Sequence, residues 1–404
     1  MATTLIAGLD SALDARRAAG LARSRKAIAS PQGVRVTVDG RELSAFASND
    51  YLGLANDPAV IVAVRDAASL WGVGAGASHL VCGHFAPHEA LEVELAAFVA
   101  PCAGARALTF SSGYLANLAI LSSLAGRNDA IFADRLNHAC LNDGALLARA
   151  DFARYPHGDV AALERLLAAS QAPRKIIATD AVFSMDGDLA PLPRLLELAD
   201  AHDAWLVVDD AHGFGILGEG RGSVAHFGLL SERIIYMGTL GKAAGVSGAF
   251  VAAHPSVIET LIQTARPYIY TTAPPPLLAA TLRVALAIIR DDAGRRVHVT
   301  HLIEQFRQGA RGLPWQLLPS STPIQPLVVG DTRAVMDVAE ALRERGFWVP
   351  AIRPPTVPRG TARLRVSLSA AHTIGDVAAL LAALHSIASG AEGSFSLAAS
   401  ARVP

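Results

Sequence analysis

The sequence has no run of about 18 uninterrupted apolar residues, which is the shortest length expected of a membrane-spanning helix. The most apolar candidate, Leu277–Ile289, is interrupted by Arg283. The opening stretch, Met1–Leu21, has a charged helical pattern and lacks the apolar core of a signal peptide. We therefore expect a soluble, cytoplasmic protein with no membrane partner.

Cysteine is also scarce: the 404 residues include three, Cys82, Cys102 and Cys140, and no pair has Cys-x-x-Cys spacing. This pattern argues against a disulfide framework and favours reduced thiols. Basic and acidic residues nearly balance, at 35 and 36, and are interspersed along the chain. Because no basic stripe is present to bind phosphate backbones, we expect no nucleic-acid partner.

Short apolar segments alternate with helical patterns through the middle of the chain. This alternation predicts βαβ units, and hence an α/β fold with a mostly parallel central sheet covered by helices on both faces. The clearest predicted strands are Ala107–Phe110, Ala130–Ala133, Lys175–Asp180, Trp205–Asp209 and Ile234–Met237.

We predict four units along the chain. The first is an arm with a helical stretch over Leu13–Lys26 and a hairpin over Val34–Leu43 that turns at Asp39-Gly40. A proline-rich segment, Tyr268–Pro276, precedes the boundary between two domains, and the chain ends in a segment rich in glycine, serine and alanine. The expected limits are 1–45 for the arm, 46–285 for a large domain, 286–390 for a smaller α+β domain and 391–404 for a flexible tail.

Three features follow predicted strands, at the sheet edge where open α/β proteins bind ligands. Ser112-Gly113-Tyr114 lies between a strand and a helix, where free N–H groups suit a phosphate, although such a turn is commonly only a helix cap. Asp209, with His212 three residues later, could keep a heterocyclic nitrogen protonated, although it could equally cap a turn.

The third feature is Lys242, which lies among small residues just after the strand Ile234–Met237. Desolvation there would lower the pKa of the amine and make it nucleophilic toward an aldehyde, although a single loop lysine is ordinarily solvated. The three features together could bind the phosphate, the ring nitrogen and the aldehyde of pyridoxal phosphate.

Two other motifs are set aside. The glycines of Gly72–Gly76 follow a helical pattern and lack the spacing of a dinucleotide loop. The residues His79, Cys82, His84 and His88 have neither the spacing of one helix face nor that of a zinc knuckle, so we predict no metal site.

The motifs, in this order, resemble those of the α-oxoamine synthases, which are fold-type I pyridoxal-phosphate enzymes. The resemblance extends from the arm to about residue 387, and its final motifs are similar to the branch that serves biotin biosynthesis. That branch condenses L-alanine with a pimeloyl thioester. The matching segments are Ser48–Leu54, His88–Glu92, Asp134–Ala139, Val182–Asp188, Asp209–Gly213, Thr239–Lys242, Ile352–Pro358 and Thr361–Arg365.

The resemblance implies roles around the cofactor ring. Lys242 would bond the cofactor aldehyde and then act as the base on the substrate Cα. Asp209 would pair with the ring nitrogen, and His138 would stack on the ring. Ser184 and His212 would hydrogen-bond the 3-oxygen side.

The resemblance also implies contacts to the phosphate and to the substrates. Arg365 would bind the amino-acid carboxylate, and Arg23 and Thr356 would contact the acyl group. Phosphate contacts are implied for Gly113, Tyr114, Thr239 and, across the interface of a homodimer, Thr271 or Thr272. The implied substrate contacts are Arg23, Asn49, Thr356 and Arg365.

Several alternatives remain open at this stage. A sibling reaction could use glycine or serine with another thioester, and an aminotransferase or a non-enzymatic cofactor-binding protein would fit less well. The pimeloyl group could arrive on coenzyme A or on a transiently bound acyl carrier protein. A basic rim for such a carrier could include Arg16, Arg17, Arg23, Arg25 and Lys26, although these charges are also typical of a solvated helix face. Asn137 stands where the family often has serine, and Ala244 where it often has a bulkier residue.

Overall fold

The structure is a computed structural model that describes residues 3–19 and 21–391. The strands are β1 Arg35–Val38, β2 Arg41–Ala45, β3 Arg106–Phe110, β4 Ala130–Asp134, β5 Asp151–Tyr155, β6 Lys175–Asp180, β7 Ala204–Asp209, β8 Ile234–Thr239, β9 Ala249–Ala253, β10 Gln316–Leu317, β11 Ile324–Gly330, β12 Phe347–Trp348, β13 Ala351–Ile352 and β14 Ala362–Ser367. The helices are α1 Thr4–Ala18, α2 Pro58–Trp71, α3 Ala86–Val99, α4 Gly113–Leu124, α5 Ala139–Ala148, α6 Val160–Ala169, α7 Leu192–Ala201, α8 Ser223–His226, α9 Pro255–Thr264, α10 Arg266–Ile269, α11 Pro276–Asp291, α12 Ala293–Gly309, α13 Thr332–Glu344 and α14 Ile374–Ala391, with short helical turns at His79–Gly83 and Gly218–Gly220.

A seven-stranded sheet forms the centre, with strand order β3-β9-β8-β7-β6-β4-β5. Its strands are parallel except β9, which runs antiparallel to both of its neighbours, β3 and β8. The predicted fold class is therefore confirmed, although the sequence patterns did not identify β5 or the antiparallel β9.

The two faces of this sheet carry separate apolar cores. Along β7, Leu206 and Val208 belong to one core, while Val207 belongs to the other, because successive side chains of a strand point to opposite faces. The first core includes side chains from α3, α6, α7 and α11, and the second includes side chains from α4, α5 and α9. Because both faces are covered by apolar side chains, polar residues can reach a ligand only at the edge formed by the strand ends.

A third core lies in the C-terminal part, where α12, α13 and α14 pack with the sheet β10-β11-β14-β13. Phe46, just after β2, is completely buried in this core. The predicted hairpin is confirmed as β1–β2, with Asp39 and Gly40 both at positive φ, and β2 pairs in parallel with β12. The arm is therefore anchored to the C-terminal part of the chain.

The predicted helix over Leu13–Lys26 is wrong in position. The helix begins at Thr4 and ends at Ala18, and the described residues after it, from Leu21 to Arg25, have no regular secondary structure. Thr3 caps its start through a side-chain hydrogen bond, and position 20 is a glycine, a residue that favours helix termination.

The proposed unit limits remain predictions. The tail over 391–404 lies outside the described residues except for residue 391, which ends α14. No helix within residues 3–19 and 21–391 combines the length and apolar character needed to cross a membrane.

Gly245 shows how tightly the loop after β8 packs on the segment before α2. Its φ is 71°, and a Cβ there would lie 2.5 Å from the backbone of Leu54 and of Ala55. We expect Gly245→Ala to destabilise the protein by about 2 kcal/mol or more, through both backbone strain and steric overlap. Gly158→Ala is the matched control, because Gly158 also has a positive φ but no atom within 4 Å of the added Cβ. Thermal unfolding should show a larger loss for Gly245→Ala, and equal losses would contradict this packing.

Candidate active site

A cavity of about 230 Å³ opens at the carboxyl ends of the parallel strands. All eight residues predicted to surround the cofactor in one subunit contribute to its wall. The lining residues are Gly113, Tyr114, His138, Cys140, Asp180, Ser184, Asp209, Ala211, His212, Met237, Thr239 and Lys242.

The amine of Lys242 is the reactive group of this cavity. Its Nζ lies 3.1 Å from Nε2 of His212. Burial lowers the pKa of Lys242 below its ordinary value, although the carboxylates of Asp209 and Asp180 act in the opposite direction. The amine is thus closer to its neutral, nucleophilic form than a surface lysine would be.

His212 connects the lysine to a chain of polar side chains. Its Nδ1 lies 2.7 Å from the hydroxyl of Tyr51, and Tyr51 donates to Oδ1 of Asn49 at 3.2 Å. Burial and the nearby cations, Lys242 first, lower the pKa of His212 well below its ordinary value. A neutral His212 with its proton on Nδ1 donates to Tyr51 and leaves Nε2 to accept from Lys242.

Two carboxyl groups lie side by side at the ends of β6 and β7, where Asp180 is in register with Asp209. Burial and the charge of Asp209 raise the pKa of Asp180 well above its ordinary value, and Asp180 accepts the backbone N–H of His138 at 3.0 Å. Asp209 accepts hydrogen bonds from the Ala211 N–H at 3.0 Å and from Asn117 at 2.6 Å. The charged form of Asp180 is therefore disfavoured, since two adjacent buried charges would repel.

The start of α4 presents free N–H groups to the cavity, an arrangement that suits an anion. The N–H groups of Gly113 and Tyr114 lie in the first helical turn, where no intrahelical acceptor exists. A Cβ at Gly113 would lie 2.8 Å from Cγ2 of Thr239, so glycine permits this close approach. Thr239 donates its hydroxyl to the Ala211 carbonyl at 3.1 Å. The lining residues thus supply an amine, a carboxyl group and free N–H groups, and this set of groups fits pyridoxal phosphate.

Arg365 provides a second anion site beside the cavity. It is buried, and its guanidinium donates to the Ser184 carbonyl at 2.6 Å, to Ser367 at 2.8 Å and to Asn49 Oδ1 at 3.2 Å. These acceptors are neutral, whereas the neighbouring Arg363 forms an ion pair with Asp186. A buried guanidinium held by neutral acceptors suits a substrate carboxylate.

Six predicted contacts are absent from the cavity wall; of these, Asn49 and Arg365 lie beside it, hydrogen-bonded to each other. Thr271 is half-buried and Thr272 exposed just before α11, while Arg23 and Thr356 are both exposed. Residues around Thr356 instead line a larger groove of about 1190 Å³ with the end of α1.

The sequence patterns missed four residues that shape the site, namely Tyr51, Asn117, Cys140 and Asp180. Asp180 ends β6 as Asp209 ends β7, so the argument from strand ends could have found it. Tyr51 lies in the matching segment Ser48–Leu54 and Cys140 follows His138 by two residues, so the motifs could have indicated both, whereas Asn117 lies inside α4 and has no such signal.

The departure at Asn137 has a structural explanation. Its side chain donates to the Ala178 carbonyl at 2.8 Å and accepts the Asp180 N–H at 3.0 Å. Asn137 therefore binds the loop after β4 to the end of β6. The structure gives no corresponding explanation for Ala244.

Three imidazoles cluster outside the cavity, a proximity that the spacing in sequence did not indicate. His79, His84 and His88 offer ring nitrogens within 4.8 Å of one another. Both nitrogens of His88 are engaged, one by the Phe85 N–H at 3.0 Å and one by the Pro274 carbonyl at 2.9 Å. Because neither ring nitrogen of His88 has a free lone pair for a metal ion, we do not assign the cluster as a metal centre.

The loop that carries Ser184 is held by His157. The two ring nitrogens of His157 donate to Asp134 at 3.1 Å and to Asp188 at 2.9 Å. Hydrogen bonds to these two carboxylates raise the pKa of His157 to about 10. A cationic histidine therefore connects the end of β4 to the loop.

The chain is similar over most of its length to proteins of a known family. The family model described as aminotransferase class I and II matches residues 41–384. The 8-amino-7-oxononanoate synthase of Herminiimonas arsenicoxydans is 60% identical over 382 residues, covering 93% of this chain and 98% of that protein.

Two solved structures are similar over most of the chain. A serine palmitoyltransferase with PLP has a TM-score of 0.88 and 29% identity, covering 96% of this chain and 98% of its own. The 8-amino-7-oxononanoate synthase of Francisella tularensis has a TM-score of 0.74 and 29% identity, covering 87% and 99%. The predicted fold-type I architecture and the predicted cofactor are confirmed.

The raised pKa of His157 predicts a pH-dependent contribution to stability. Because the folded pKa of about 10 exceeds the ordinary value of 6.5, the contribution is complete below about pH 6.5 and is lost as the pH rises to about 10. His157→Gln should therefore lower the melting temperature most at pH 6 and least at pH 10. The exposed His301→Gln is the control and should show no such trend. A His157→Gln effect that grows with pH would contradict the ion pairs.

Proposed function

Because the chain belongs to the 8-amino-7-oxononanoate synthases, within the class I and II aminotransferase family, we propose the following use of its active-site residues. The protein is a pyridoxal-phosphate-dependent acyltransferase of biotin biosynthesis. It condenses L-alanine with a pimeloyl thioester and releases 8-amino-7-oxononanoate, CO₂ and the free thiol. The sibling condensations are not favoured, since identity is 60% to a relative of this name and 29% to a serine palmitoyltransferase.

The observation that carries the proposal is the placement of Lys242 against His212 in the cavity that also contains Asp209. When bound, pyridoxal phosphate withdraws the electron pair left at Cα after proton removal. Asp209 would hold the ring nitrogen protonated and so strengthen this withdrawal.

Lys242 would remove the Cα proton of L-alanine. Its lowered pKa leaves a larger neutral fraction at neutral pH than an exposed lysine would have. His212, fixed by Tyr51, would hold Nζ in position, and Lys242, which carries the abstracted proton, would return it after CO₂ leaves. His138 would cover one face of the cofactor ring, and Ser184 would bond its 3-oxygen.

Arg365 would bind the carboxylate of L-alanine, with Asn49 holding the guanidinium in place. A bidentate contact fixes both position and orientation of a carboxylate. Arg23 and Thr356 would contact the acyl group from the side of the groove lined by α1 and the Pro354–Gly360 segment.

We further propose that the enzyme is a cytoplasmic homodimer. Thr271 and Thr272 are outside the cavity wall, which is compatible with contact to the phosphate held by a second subunit. The acyl donor would be pimeloyl-coenzyme A or a pimeloyl carrier protein bound transiently at the basic residues of and after α1. Steady-state assays with each donor would distinguish the two.

Lys242→Ala should lower the rate of condensation of L-alanine with pimeloyl-coenzyme A by about 10²–10⁴-fold, because both the cofactor anchor and the base are lost. The measurement is product formation under steady-state conditions. Lys175→Arg is the control, since Lys175 lies on β6 outside the cavity wall. Near wild-type condensation by Lys242→Ala would refute the assignment.

Arg365→Lys should raise the KM for L-alanine about tenfold or more, because a lysine cannot make the two parallel hydrogen bonds of a guanidinium. The KM for pimeloyl-coenzyme A should change much less. Initial rates with each substrate varied in turn give both constants. An unchanged KM for L-alanine would remove Arg365 from the carboxylate site.

A further inference from the structure

Asn117 of α4 is fully buried and joins two groups of the cofactor cavity. One of its amide N–H groups donates to Oδ2 of Asp209 at 2.6 Å, and Nδ2 also lies 3.1 Å from Sγ of Cys140. The other Asp209 oxygen accepts the Ala211 N–H. Both carboxylate oxygens are therefore fixed by donors, which holds the side chain in a single rotamer.

Cys140 continues this chain of hydrogen bonds to His138. Its Sγ lies 2.8 Å from Nδ1 of His138, and its backbone N–H reaches the same nitrogen at 3.3 Å. Burial and the charge of Asp209 raise the pKa of Cys140 to about 12, so the thiol keeps its proton and can donate it. His138 Nδ1 is thus an acceptor, which places the proton of a neutral ring on Nε2.

The direction of the chain is fixed by chemistry. A carboxylate can only accept, so the amide nitrogen of Asn117 must face Asp209, and the thiol that accepts from Asn117 must donate to His138. This orientation leaves Oδ1 of Asn117 buried without a partner among the described residues. An unpaired buried acceptor costs stability, so packing alone does not account for an asparagine at this position.

We propose that Asn117 and Cys140 are positioning residues that hold Asp209 toward the cofactor nitrogen and His138 in one ring orientation and tautomer. The inference rests on the proposed function, because it gives Asp209 and His138 their cofactor contacts. Neither Asn117 nor Cys140 is required to touch a reacting atom.

The test uses the cofactor-loaded enzyme and two readouts besides turnover. One is the dissociation constant for pyridoxal phosphate, measured by equilibrium dialysis. The other is the pH at which the absorbance of the bound cofactor changes. The variants are Asn117→Leu, which removes both donors at similar volume, with Cys140→Ala and Cys140→Ser. Leu121→Ala is the matched control, because Leu121 is buried in the same helix but does not line the cavity.

Asn117→Leu should raise the dissociation constant about tenfold or more and shift the absorbance transition, since a charge-assisted hydrogen bond to Asp209 is lost. Cys140→Ala should shift the transition, and Cys140→Ser should restore it, because a hydroxyl can both accept from Asn117 and donate to His138. Leu121→Ala should lower the melting temperature and leave both readouts unchanged.

The inference is overturned if Asn117→Leu keeps both the wild-type dissociation constant and the wild-type absorbance transition. It is also overturned if Leu121→Ala shifts the two readouts as much, since the role would then be general packing. If Asn117→Leu does not fold, Cys140→Ala and Cys140→Ser still test the inference. Equal absorbance transitions in these two variants would contradict the proposed chain of hydrogen bonds. Failure of the proposed function is recognised separately, by continued condensation in Lys242→Ala.

Discussion

The desolvation of Lys242 is the constraint on which the rest of the site depends. A buried lysine can act as both nucleophile and base only if its neighbours leave its pKa neither very low nor very high. Burial lowers the pKa of His212 and raises those of Tyr51 and Asp180, so it disfavours the charged form of each of these neighbours. The carboxyl group of Asp209, the guanidinium of Arg365 and the amine of Lys242 remain as the groups that meet the ligands. Each of these has a counterpart in the ligands, namely the ring nitrogen, the substrate carboxylate and the aldehyde.

The fold supplies this arrangement from two directions. Parallel strands β6, β7 and β8 bring Asp180, Asp209 and Thr239 to one edge, because their carboxyl ends coincide. Remote segments supply the side chains beside the cavity. Tyr51 precedes α2, and Arg365 lies on β14 and donates to the Tyr51 hydroxyl. The third apolar core includes Leu364 and Val366 of β14 together with Phe46, so the position of Arg365 depends on packing within the C-terminal part and with the segment after β2.

Features encoded locally could be read from the sequence. Alternating strands and helices gave the fold class, and the strand ends gave Asp209, Lys242 and the turn at Gly113. Asn117 and Tyr51 could not be found in this way, since their partners Asp209 and His212 lie 92 and 161 residues away. The helix predicted over Leu13–Lys26 was misplaced because apolar residues continue past Ala18, where the observed helix α1 ends. α1 has no buried residue that could fix its length, so local capping decided the boundary.

The most direct measurement is reductive trapping of the bound cofactor followed by peptide mass mapping. The chain has only three lysines, Lys26, Lys175 and Lys242, so the attachment point can be assigned without ambiguity. Lys26 pairs with Asp39 at the surface, and Lys175 donates to the His202 carbonyl at 3.4 Å. The account predicts the pyridoxyl mass on the peptide that contains Lys242, and its appearance on Lys26 or Lys175 with Lys242 unmodified would contradict it.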